Sequence, residues 1–148
     1  MSHILIIGYG NPSRRDDGVG HYIIEKITQM AGEKIDCLAC HQLGIELADT
    51  IKDYDRVIFV DAHVSDFPEE IKVVSVDATY STSAFTHSIK PGSLVALAKS
   101  LYQKEPQALV VSVRGNDFDF GTELSAETRK WADVAVARIL EMADGKSA

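Results

Sequence analysis

The chain has 148 residues, a net charge of -7 and a sequence pI near 5.1. Its 45% hydrophobic and 25% charged content is that of one globular domain with a real core, not of a disordered segment. The acidic balance argues against a nucleic-acid partner, and no apolar run approaches the ~20 residues of a membrane span. The N-terminus enters a strand pattern without a basic, then apolar, leader, so a cytoplasmic protein is expected.

Apolar runs alternate with amphipathic ones, the mark of an α/β fold. A strand is expected at His3–Gly8. The turn Gly8-Tyr9-Gly10-Asn11-Pro12-Ser13-Arg14-Arg15-Asp16-Asp17-Gly18-Val19-Gly20 follows. A helix is then expected at about Gly18–Gln29, with Val19, Ile23, Ile24 and Ile27 at helical spacing. The next elements are a strand at Ile35–His41, a helix at Ile45–Lys52, and a strand at Arg56–Asp61 buried on both faces. A strand at Ile71–Val76, a helix at Pro91–Gln103 and a strand at Ala108–Val113 come next. Pro91 suits a first helical turn. The last helix is expected at Ala126–Met142, capped by Ser125. Cys37 and Cys40 fall within a strand, where residues three apart point to opposite faces, so they read as buried small side chains.

One connection bears on topology. Nine residues separate Asp61 from Ile71, and a parallel crossover usually takes a dozen or more. The strand at Ile71–Val76 should therefore run antiparallel to Arg56–Asp61, although not necessarily beside it, which gives a five-stranded mixed sheet. The fourteen residues Asp77–Lys90 span up to roughly 45 Å extended, enough to return the chain across the sheet. Their end, near His87, would then reach the edge that carries Asp61 and the turn with Asp17. Open α/β sheets gather their sites at that carboxyl rim.

Two carboxylates and an imidazole can hold a divalent metal or poise a water. Alternatives stay open at each position. A strand-end Asp is often a turn cap. One member of the Asp16–Asp17 pair is expected to cap the following helix, with Asp16 serving the backbone and Asp17 facing the cleft, or the reverse. His63 and His41 compete with His87 as the imidazole, whereas His3 and His21 read as structural or solvated. Arg14 and Arg15 read as solvated charges, or as captors of a partner's carboxylate. Asn11, His63, Arg114 and Asn116 are further candidates for contact with a bound chain.

The dinucleotide fingerprint fails because Ser13 stands at the third glycine position, and neither a phosphate-binding loop nor a serine-hydrolase elbow is present. A phosphoreceiver-like signalling module, with Asp61 as acceptor, is the non-enzymatic alternative. It fits poorly, since the acidic pair stands well past the first strand and no lysine follows the last strand.

The whole motif set, Gly8-Tyr9-Gly10-Asn11, Arg15-Asp16-Asp17-Gly18-Val19-Gly20, Val60-Asp61-Ala62, His87 and Gly121-Thr122-Glu123-Leu124-Ser125, resembles the hydrogenase maturation endopeptidases over nearly the whole chain. The resemblance implies a three-layer α/β/α sandwich (phosphorylase/hydrolase-like) and a metal-binding trio at Asp17, Asp61 and His87. It also implies removal of a C-terminal extension from a nickel–iron hydrogenase large-subunit precursor after nickel insertion. Nickel would arrive with the substrate, and other divalent ions would suit the same donors. Many members carry Glu where Asp17 stands.

Overall fold

A computed structural model describes residues 3–64, 68–80 and 89–144. Five strands form one sheet in the order β2-β1-β3-β5-β4: β1 (Ile4–Tyr9), β2 (Asp36–Cys40), β3 (Arg56–His63), β4 (Ile71–Val76) and β5 (Gln107–Arg114). All neighbours are parallel except β4, which runs antiparallel along the outer side of β5. The short connection after β3 thus has the expected consequence: β4 reverses direction, and it does so beside β5 instead of β3. The helices are α1 (Val19–Ala31), α2 (Leu47–Ile51), α3 (Pro91–Tyr102) and α4 (Ala126–Ala143). Among the described residues no helix is long and apolar enough to cross a membrane.

Strand alternation builds the three layers. Ile6, Ile58, Val60, Val111 and Val113 face α1 and α4, meeting Val19, Ile23, Ile27, Ala135 and Ile139. Leu5, Ile7, Val57, Phe59 and Ala108 face the other way onto α2 and α3, meeting Leu47, Ile51, Leu94 and Ala98. Because the central strands are covered on both sides, they read in sequence as continuous apolar runs. Cys37 packs on the first side and Cys40 on the second, both as free thiols, and burial raises the pKa of each.

Several expected boundaries move. β3 continues past Asp61 to His63, because β5 keeps pairing with it through Ala62↔Val113 and His63↔Arg114. α2 shrinks to five residues. The start of the first helix divides into a 3-10 turn at Arg15–Gly18 and α1 proper. Ser125 caps α4 as expected, its side chain accepting from the Thr128 N–H.

Gly8 and Gly20 let α1 lie against the sheet at the carboxyl ends of β1 and β3. A Cβ on Gly20 would stand 2.8 Å from the Tyr9 nitrogen and 2.9 Å from the Val60 oxygen, both backbone atoms that cannot move aside. Gly20→Ala is therefore expected to force α1 outward and cost about 1–3 kcal/mol. Thermal unfolding checks this, with a Tm lowered by about 3–10 °C.

Candidate active site at the carboxyl rim

Gly8 pairs with Val60 in the parallel register of β1 and β3, so the next residues along, Tyr9 and Asp61, come out side by side at the rim. Alternation sends both toward the α2–α3 layer, where Ile7 and Phe59 already point. The Tyr9 hydroxyl and the Asp61 carboxylate lie close enough to shift one another's titration. Burial raises the Tyr9 phenol, and the Asp61 charge raises it further. Burial also pushes the Asp61 carboxyl from its ordinary 3.8 up to about 6. The Ala62 N–H and the Tyr9 hydroxyl pull against that shift, while the negative charge of Asp17 adds to it. Asp61 is thus a half-buried carboxyl poised near neutrality, which suits a proton acceptor.

Asp17 comes from the 3-10 turn between β1 and α1. One of its oxygens accepts from the Asn11 N–H at 2.8 Å. Gly10, at φ +136, makes the bend that brings this turn back over the strand end, and a side chain there would collide with the Asp17 carbonyl. Neither aspartate caps α1, whose N-cap is Gly18 with no side-chain hydrogen bond. The capping expectation is corrected: both carboxylates have stronger claims elsewhere.

Asp16 is wholly buried and acts as a hub. It accepts from the Asn116 and Asp117 N–H groups at 2.7 and 2.8 Å, from the Ser125 N–H and hydroxyl at 2.7 and 2.8 Å, and from the Thr128 hydroxyl at 2.8 Å. Burial alone would raise its pKa. The hydrogen bonds outweigh that effect and hold it below the ordinary value. Asp16 serves the backbone, and Asp17 stands close enough to Asp61 to influence its charge.

The remaining candidates are engaged by their surroundings. Arg15 is not a solvated charge: it sits at φ 41, pairs with Asp117 at 2.8 Å and donates through Nε to the Glu123 carbonyl at 3.0 Å. Arg14 Nε donates to the Phe118 carbonyl at 3.1 Å. His63 Nε2 donates to the Glu69 carbonyl at 2.9 Å, and its Nδ1 faces the Ser112 hydroxyl at 2.8 Å. Arg114 donates to the Pro68 carbonyl at 3.0 Å, and the Asn116 side chain donates to the Thr128 hydroxyl at 3.0 Å. His21 Nε2 lies 3.0 and 3.1 Å from the Gly10 and Cys40 carbonyls, a structural role as expected.

His87 lies outside the described residues, as does most of the segment expected to return the chain to the rim. At the margins of that segment, the Thr79 N–H donates to the Gly92 carbonyl at 3.2 Å, tying the end of the β4 connection to the first turn of α3. Among the described residues no three His, Cys, Asp or Glu side chains lie close enough to share a metal ion. The structure brings together Asp17, Asp61 and Tyr9. Tyr9 was legible only as part of a motif. Its parity with Ile7 and its place next to the carboxyl end of β3 were the signals that could have found it.

No family model matches the chain. Two curated proteins of Methanocaldococcus jannaschii, both provisionally named hydrogenase maturation proteases, are similar along most of its length. One is 29% identical over 144 residues, covering 93% of this chain and 94% of the relative. The other is 23% identical over 150 residues, covering 94% and 87%. Among solved structures, the Escherichia coli hydrogenase maturating endopeptidase HybD superposes with a TM-score of 0.80 at 18% identity, covering 98% of this chain and 94% of that one. The hydrogenase maturation protease HycI of Thermococcus kodakarensis gives 0.75 at 22% identity, covering 97% and 93%. These superpositions show the fold: a five-stranded mixed sheet between two helical layers.

Proposed function

We infer that this chain, a member of the hydrogenase maturation protease family, is an endopeptidase that removes the C-terminal extension of a nickel–iron hydrogenase large-subunit precursor. The likeness to named maturation proteases runs through most of the chain. The observation that carries the chemistry is the acidic pair at the rim. Asp61 is raised to about 6 by burial and by the neighbouring charge of Asp17.

Asp61 takes the proton role. It accepts a proton from a water as the water oxygen adds to the scissile carbonyl carbon. It then returns that proton to the amide nitrogen as the carbon–nitrogen bond breaks. Tyr9, beside Asp61 at the rim, favours its carboxylate form and so opposes part of the shift that burial imposes. Asp17, bound by Asn11 through one oxygen, keeps its other oxygen for a cation. The two carboxylates are hard oxygen donors that suit a divalent ion completing its shell from elsewhere. Nickel carried by the precursor is that ion in this proposal, with His87 as third ligand by sequence likeness. When bound, it supplies Lewis acidity toward the scissile carbonyl.

The phosphoreceiver alternative gains nothing from the geometry. Its acidic pocket would need both members of the Asp16–Asp17 pair, and Asp16 is wholly buried and saturated with donors.

Incubation with a hydrogenase large-subunit precursor, with and without nickel, followed by mass measurement, tests the function. A shortened precursor in the nickel-loaded sample is expected. An unchanged mass in both samples would refute it.

A further inference from the structure

Phe120 is the most exposed large apolar side chain among the described residues, at 90%. It is also on a pinned frame. The Phe118 carbonyl accepts from Arg14 Nε at 3.1 Å, and the Asp119 N–H donates to the Asp117 carboxylate at 3.0 Å. On the other side, the Gly121 N–H donates to the Ser13 carbonyl and the Gly121 carbonyl accepts from the Arg15 N–H, both at 2.9 Å. The ring is in water while the backbone around it is fixed to the turn that carries Asp17. A single exposed ring is ordinary on a protein surface, but one held on a fixed backbone has little ordering left to lose on binding, and aromatic rings dominate binding energy where they are covered.

Its position limits what covers it. The loop follows the carboxyl end of β5, and the Arg14–Gly121 bridge places it against the β1–α1 turn. A polypeptide that reaches Asp17 would pass the β1–α1 turn to which this loop is bonded. Next to the loop is a cleft of about 310 Å³, bordered by Pro12, Arg15, His21, Tyr22, Glu123 and Leu124. The loop's own outward charges are acidic, and the exposed Arg129 of α4 stands at the border of the cleft. Arg14 and Arg15 are turned onto the loop's own carbonyls and Asp117, whereas Asp119 and Glu123 are exposed and in no ion pair among the described residues.

We propose that Phe120 is a docking anchor for the precursor, taking an apolar side chain that stands beside a basic one received by Asp119 and Glu123. This rests on the endopeptidase function above. The test is binding of uncleaved precursor to the intact chain, alongside its cleavage. Phe120→Ala is expected to raise Kd and KM about tenfold, with KM and not kcat carrying the loss, and with Tm unchanged. Asp119→Asn with Glu123→Gln is expected to flatten the weakening of binding by salt. Met30→Ala, another exposed apolar side chain at 66%, serves as control and should bind as the parent does. Parent-like binding by Phe120→Ala, or equal loss in Met30→Ala, overturns the anchor while cleavage by the parent leaves the endopeptidase function standing. A parent chain that neither binds nor cuts the precursor overturns both.

Discussion

Asp61→Asn is expected to lower the rate of precursor cleavage by about 10²–10⁴-fold, the range that one positioned proton acceptor supplies, while making the folded chain more stable at neutral pH. The two effects share one cause. Burial raises the Asp61 carboxyl to about 6 against an ordinary 3.8. A group with a raised folded pKa contributes stability below its unfolded pKa and loses it as pH rises through the folded value. Asp61 therefore opposes folding increasingly between about pH 4 and 6, by on the order of 2–3 kcal/mol once fully ionised. The neutral amide escapes that burden. Denaturant unfolding across this window should show the variant gaining on the parent as pH rises. An inactive variant that is also less stable at pH 7 would mean that Asp61 is scaffolding. A fully active variant would mean that the proton role lies elsewhere.

Asp16→Ala is expected to lose about 3–5 kcal/mol, because it leaves buried donors without their acceptor. In a chain of this size that amounts to a Tm lower by roughly 10 °C or more. The pH dependence has the opposite sign to that of Asp61. The Asp16 pKa is lowered, so its contribution is present above the unfolded value and is lost as pH falls through the folded one. The parent should therefore weaken below about pH 4 more steeply than the variant does. Thermal melts of both proteins across that range check it; equal melting temperatures at pH 7 would sink the hub.

The two aspartates differ in how legible they were. The sheet was readable because its strands are short apolar runs, and the antiparallel β4 followed from a connection too short to cross over. The rim positions of Asp17 and Asp61 followed from that topology. Which of Asp16 and Asp17 faces the cleft did not, because the hydrogen bonds that claim Asp16 come from residues 100 to 112 positions further along. Local pattern does not register such partners. Arg15 misled for the same reason, since Asp117 is far from it in sequence. The end of β3 was placed too early because a charged residue after an apolar run looks like a boundary. Pairing with β5 carries the strand on to His63.

The Asp16 cluster has one more consequence. By joining the 3-10 turn to Asn116, Asp117, Ser125 and Thr128, it welds two surface loops into a single rigid piece before any visitor arrives. An incoming chain then meets a contour of settled shape, and little ordering remains to be done on the host side. Discrimination among visitors falls to their own form and charge, so a poor match is rejected instead of being accommodated by a loop that bends.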